Sequence, residues 1–147
     1  MILAVCLAPG EGEGAPLKLD EPLSFWGGLD PATGLVIDRW HAQGGASVAG
    51  RVLLMPGGRG SSSGSAALAE AIRLGNGPAA ILLTRRDPIV IVGALVAAEL
   101  YGAACPVARV EDFEALAGAA RLRVRAEAAR AEIWVRDESK SALTCII

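Results

Sequence analysis

The residues Pro56-Gly57-Gly58-Arg59-Gly60-Ser61-Ser62-Ser63-Gly64-Ser65 are the stretch of this chain best equipped for chemistry. Glycines free the backbone N–H groups to point at one spot, and four serines add hydroxyls. A phosphate-binding loop of the Walker type needs Gly-Lys-Ser/Thr, because the lysine reaches the terminal phosphates. Gly64-Ser65 has no such lysine, and the only lysines are Lys18 and Lys140. Gly60-Ser61-Ser62-Ser63-Gly64 matches the G-x-S-x-G nucleophile elbow with Ser62 as nucleophile, yet such hydrolases need an acid and a histidine downstream. The only histidine, His41, lies upstream. The plainest reading is structural: the glycines turn a corner and Ser63 or Ser65 caps a helix.

The flanking pattern tells how the stretch would be held. The apolar run Arg51 to Met55 enters it as a strand, and a helical pattern over Ala66 to Leu74 leaves it and stops at Gly75. A strand, a glycine-serine loop and a helix bring the partial positive charge of a helix N-terminus to the loop. Further elements follow from alternation and turn residues. Strands are expected at 2–8, 15–20, 35–38, 48–55, 79–83 and 106–108, with a turn-rich link, hairpin or open loop, over Pro9 to Gly14. Asp87-Pro88 reads as an N-cap followed by proline at N1, so Ile89 to Tyr101 is expected to be a helix ending at Gly102, despite its β-branched start. A short helix is expected over Glu111 to Ala120. Two last strands, 122–125 and 132–136, flank a loose connection at Ala126 to Ala131.

With 147 residues and 52% hydrophobic composition, the chain suits one domain with a real core. A net charge of -2 with both signs interspersed shows no basic face for nucleic acid. The longest apolar run, Pro88 to Ala98, is too short to span a membrane. Three scattered cysteines, Cys6, Cys105 and Cys145, fit reduced thiols, so a cytoplasmic setting is expected.

Three segments carry a family resemblance. Leu23-Ser24-Phe25-Trp26-Gly27-Gly28-Leu29-Asp30-Pro31 with Gly34, then Gly58 to Ser65, then Asp87-Pro88 with Glu99-Leu100-Tyr101-Gly102, resemble the swivel domain of the aconitase X family over about residues 10–108. The resemblance implies an α/β fold, a swivelling β/β/α domain of the aconitase swivel type, over residues 1–137 with 138–147 as a tail. It implies the small subunit, or one part of a fused chain, of a hydro-lyase. The partner would be a large catalytic subunit whose cysteines hold an iron or iron–sulfur centre. Family members dehydrate cis-3-hydroxy-L-proline or mevalonate 5-phosphate, and the former is the first expectation here.

True aconitases carry a related Gly-x-Gly-Ser-Ser-Arg stretch whose first serine is the catalytic base. Gly58-Arg59-Gly60-Ser61-Ser62 matches it residue by residue. The resemblance thus implies Ser61 as base, with Gly58, Arg59, Gly60, Ser62 and Ser63 at the substrate. Ser63 replaces the arginine, so Arg59 or an arginine of the partner would clamp the substrate carboxylate. A serine hydroxyl is a poor base unless its alkoxide is stabilised by N–H donors, a helix mouth and a cation. The scattered cysteines offer no Cys-x-x-Cys ligand pair, so the metal would have to come with the partner.

Other residues read more plainly. His41 is expected to be exposed and without a role. Phe25 and Trp26 read as packing or interface anchors, Asp30 as a turn former, Arg85-Arg86 as a solvated helix start and Cys105 as a small buried hydrophobe. A swivelling carrier of the phosphohistidine type would need histidine at the loop, where serine stands. A non-catalytic binding module would bind its ligand without need of Ser61.

Overall fold

The computed structural model describes residues 1–138; most of the expected tail lies outside them, and so does Cys145. Short apolar runs form the centre. β1 (Ile2–Ala8), β2 (Gly10–Gly14), β3 (Pro16–Lys18), β6 (Val52–Met55), β7 (Ala80–Leu83), β8 (Val107–Arg109), β9 (Arg121–Glu127) and β10 (Arg130–Arg136) build one mixed sheet in the order β2-β9-β10-β1-β8-β7-β6-β3. Its β3-β6-β7-β8 half is parallel, and every other pairing is antiparallel. A short irregular segment, α1 (Phe25–Gly28), whose Trp26 and Gly27 leave helical geometry, precedes a small hairpin of β4 (Leu29–Asp30) and β5 (Leu35–Val36).

α2 (Gly64–Arg73) and α3 (Pro88–Tyr101) cross between the parallel strands, so 52–109 is a plain βαβαβ unit and the irregular connections lie at its flanks. All four residues of β6 and of β7 are buried, as strands covered on both faces require. Leu53, Met55, Ile81 and Leu83 pack beneath the helices, against Leu68, Val90 and Ala94. The alternate residues Val52, Leu54, Ala80 and Leu82 meet Leu122, Val124 and Ile133 inside the curl of the sheet. The architecture is the expected α/β swivel arrangement, with the sheet curled almost into a barrel.

Three expectations need correction. Gly10 to Gly14 is no loop but the strand β2, paired with β9. Its glutamates face outward to Arg123 and Arg121, with Glu11 at 2.7 Å and Glu13 at 3.0 Å. Its glycines face inward, where a Cβ on Gly12 would overlap the Ala79 carbonyl oxygen and one on Gly14 the Gly50 carbonyl oxygen. The glycines let the two ends of the curled sheet close on each other.

Glu111 to Ala120 forms turns rather than a helix. The Asp112 side chain accepts from the Glu114 N–H, which competes with helical bonding, while Phe113 and Leu116 plug the core. Ala126 to Ala131 is not loose: β9 and β10 run to Glu127 and from Arg130, joined at Ala128 with φ +53°. The strand expected at 2–8 is found at those bounds, while those expected at 15–20, 35–38, 48–55 and 79–83 are shorter. The Val48–Met55 strand begins only at Val52, because Gly50 turns with φ +67°.

Replacing Gly12 by alanine should lower stability by about 1–3 kcal/mol through overpacking. Gly118, which has open space around its Cβ direction, is the control that should tolerate alanine. Urea unfolding midpoints check both.

Candidate active site

The serine loop leaves the carboxyl end of β6, where ligands gather in open parallel sheets. Its first half is held from two sides. Gly58 N–H donates to Asp87 Oδ2 at 2.7 Å, and Arg59 N–H donates to the Leu23 carbonyl at 3.2 Å. Arg85 lies beneath Gly57 and donates from Nη2 to the Gly58 carbonyl at 3.2 Å; a Cβ on Gly57 would come within 2.6 Å of its Nε. Gly60 turns the chain with φ +87°, a backbone that disfavours a side chain, with Ser24 close against it.

Ser61, Ser62 and Ser63 are exposed at the mouth of α2. Ser63 stands at the N-cap position but makes no capping bond through its side chain. Ser65 does not cap either: its hydroxyl donates to the Ile89 carbonyl at 2.7 Å. Instead the Ser61 Oγ accepts from the Ser63 N–H at 3.1 Å. The hydroxyl at the predicted base position therefore already faces a backbone donor beside a helix N-terminus. Beside the first turns of α2 opens an apolar depression of about 480 Å³, lined by Phe25, Trp26, Leu29, Pro31, Ala67 and Glu70. Phe25 is buried, and Trp26 is 61% exposed on the rim.

Arg59 pairs with two carboxylates. Its guanidinium lies 3.2 Å from Asp38 Oδ2 and 3.5 Å from Glu21 Oε2, so two carboxylates offset its charge. His41, expected to be exposed, is 4% exposed. Its Nδ1 accepts from the Gln43 N–H at 3.0 Å and its Nε2 lies 3.2 Å from the Glu21 carbonyl. An amide only donates and a carbonyl only accepts, so the ring is held with its proton on Nε2. His41 thus fastens the 38–47 loop to residue 21, and Asp38 on that loop grips Arg59. Asp30 is the turn former expected, accepting from Ala32 and Thr33.

The sequence reading placed Arg85 in a solvated helix start and Asp87 at a helix cap, and missed the contact each makes with the loop. The Asp-Pro pair signalled the helix cap, but nothing local signalled a partner 29 residues away.

Among the described residues no three His, Cys, Asp or Glu side chains gather to hold a metal. Cys105 is fully buried, which pushes its thiol up to about 12. These residues do not fit a cluster site on this chain. No helix among them is long and apolar enough to cross a membrane.

The family description "Aconitase X swivel domain" matches residues 2–133. The chain belongs to that family. The swivel domain is 47% identical over 118 residues to a cis-3-hydroxy-L-proline dehydratase of Pseudomonas aeruginosa, covering 80% of this chain and 20% of that protein. It is 45% identical over 91 residues to the phosphomevalonate dehydratase small subunit of Methanothermobacter thermautotrophicus, covering 62% of this chain and 70% of that subunit. Among solved structures it resembles Thermococcus kodakaraensis aconitase X in its holo-form, with TM-score 0.78 and 30% identity over 91% of this chain and 99% of that one. The chain spans about a fifth of the length of the cis-3-hydroxy-L-proline dehydratases it matches.

The Asp38 carboxyl is held below its ordinary value, first by the Trp40 N–H and then by Arg59. A lowered carboxylate stabilises the fold fully above its ordinary pKa and loses that contribution as pH falls through the folded value. Asp38→Ala should therefore be less stable than the parent at neutral pH, and the difference should fade as pH falls below 3.8. Unfolding midpoints at neutral and acidic pH test the sign.

Proposed function

We propose that this swivel domain is the small subunit, or small part, of a dehydratase, and that Ser61 is its general base. The observation that carries the reading is the exposed Ser61 hydroxyl, which faces the Ser63 N–H at the mouth of α2. As the alkoxide, Ser61 Oγ takes the substrate's C–H proton and becomes the neutral hydroxyl; the electron pair becomes the new C=C bond, and the neighbouring hydroxyl departs as hydroxide and becomes water on taking a proton from an acid of the large subunit. The Ser63 N–H and the α2 N-terminus stabilise the alkoxide before the transfer. The exposed backbone of Gly60 to Ser63 lies against the substrate.

Arg59 is committed to Glu21 and Asp38, so an arginine of the large subunit clamps the substrate's carboxylate. That subunit also supplies the iron or iron–sulfur centre, which when bound assists departure of the hydroxyl group. The first candidate substrate is cis-3-hydroxy-L-proline, whose named dehydratase aligns with more of this chain; mevalonate 5-phosphate is the second.

Co-expression with the large subunit should yield a complex that dehydrates one of these two substrates, while the isolated chain is inactive. Ser61→Ala should lower kcat by about a hundredfold or more without preventing assembly. Turnover measured on both substrates, with the complex checked by gel filtration, decides. Full activity in Ser61→Ala would remove the base assignment.

A further inference from the structure

Both ends of the serine loop are fastened to a single turn of α3. At the near end, Gly58 N–H donates to Asp87 Oδ2; at the far end, Ser65 Oγ donates to the Ile89 carbonyl, each at 2.7 Å. Only Pro88 separates the two posts. Between them the hydrogen bonds at Ser61 to Ser63 are local: Ser63 N–H to Ser61 Oγ, Gly64 N–H to the Ser61 carbonyl, Ser65 N–H to the Ser62 carbonyl and Ala67 N–H to the Ser63 carbonyl. The three serines form an exposed arch between these two feet, and its entry is further held by Arg85 on the Gly58 carbonyl and by the Leu23 carbonyl on Arg59 N–H.

Asp87 does more than cap. Its Oδ1 accepts from the N–H groups of Ile89 at 2.9 Å and Val90 at 3.4 Å, which already serves the helix. A serine there would do that much. The second oxygen is spent on Gly58, and only a carboxylate has an acceptor left for it, since the amide of an asparagine would turn a donor toward the Gly58 N–H. The platform itself is close-packed: a Cβ on Gly93 of α3 would approach the Ser65 carbonyl oxygen to 2.9 Å, and one on Gly64 would approach Ile89 to 3.2 Å.

We infer that Asp87 and Ser65 are positioning residues that fix the Ser61 hydroxyl against the substrate. The inference rests on Ser61 being the base. Proton transfer needs the two atoms within hydrogen-bond reach, and a displacement of about 1 Å costs about a hundredfold.

Asp87→Ser keeps an oxygen for α3 and removes the Gly58 post; Ser65→Ala removes the other post and leaves the α3 cap intact. In the complex with the large subunit, each should lower kcat by about tenfold to a hundredfold while KM stays within about threefold. Amide exchange of the full chain should quicken at Gly58 to Ser63 and stay at the parent rate in α3. In the Ser61→Ala background neither change should lower the residual rate further, because both act through the same hydroxyl. Parent kcat in both variants, or losses that add to that of Ser61→Ala, overturns the positioning role. Parent turnover in Ser61→Ala alone overturns the base assignment and this role with it, and the exchange result still tells whether the posts hold the loop. If Asp87→Ser does not fold, Ser65→Ala decides by the same readouts.

Discussion

The Asp87 carboxylate, buried to 8% exposure, joins three backbone N–H groups from two distant segments. Burying a charge is costly unless its oxygens are satisfied. Here satisfaction requires that the start of α3 and the entry of the serine loop be in place together. Each charge-assisted bond of this kind is worth about 1.5–3 kcal/mol. Losing one would leave the rest of the carboxylate underpaired in a site with little water. With Asp87 present, forming α3 while leaving Gly58 free would strand a buried carboxylate oxygen, so the loop inherits the order of the core.

Glycine makes that arrangement possible in more than one way. At Gly60 and Gly50 it supplies positive φ, but at Gly12, Gly57, Gly64 and Gly93 it supplies absence of bulk. These last four bring β2 onto Ala79, the loop onto Arg85, and α2 onto α3. Close approach of backbones leaves few alternative packings, because interiors this dense do not deform continuously. The exposed face is built differently. Trp26 and Trp40 stand out in solvent, and Arg59 is latched to Glu21 and Asp38 by partly exposed ion pairs of the kind worth at most about 1 kcal/mol. A rigid floor carries a surface that is easily rearranged.

What could be read from the sequence follows the same division. Local signals served well where local chemistry decides: Asp87-Pro88 opens α3, Gly102 closes it with φ +64°, and Asp30 with Gly34 makes a turn. The serine loop was legible because no other segment offers so many free donors beside a helix start. Non-local contacts were not legible. Gly10-Glu11-Gly12-Glu13-Gly14 has the composition of a turn, and only the arrival of Ala79 and Arg123 from far along the chain makes it a strand. His41 sits in a polar loop by composition, yet Glu21, twenty residues earlier, closes over it. Arg59 carried the look of a free cation until Glu21 and Asp38 were brought to it by the fold.

That last contact bears on why one chain would not suffice for base catalysis. An alkoxide at Ser61 has one backbone donor in contact and a helix mouth behind it. One well-placed donor to an oxyanion contributes about 3–4 kcal/mol in a site sealed from water. In an open site it contributes less, because solvent screens it. Ser61 is exposed, the charge of Arg59 is already offset, and Arg85 is committed to the Gly58 carbonyl. Lowering the proton affinity gap of a serine under those terms requires both exclusion of water and a further positive charge. Under the proposed function, the large subunit laid over the loop would supply both. The apolar depression with Trp26 on its rim lies beside the loop, next to the exposed serines.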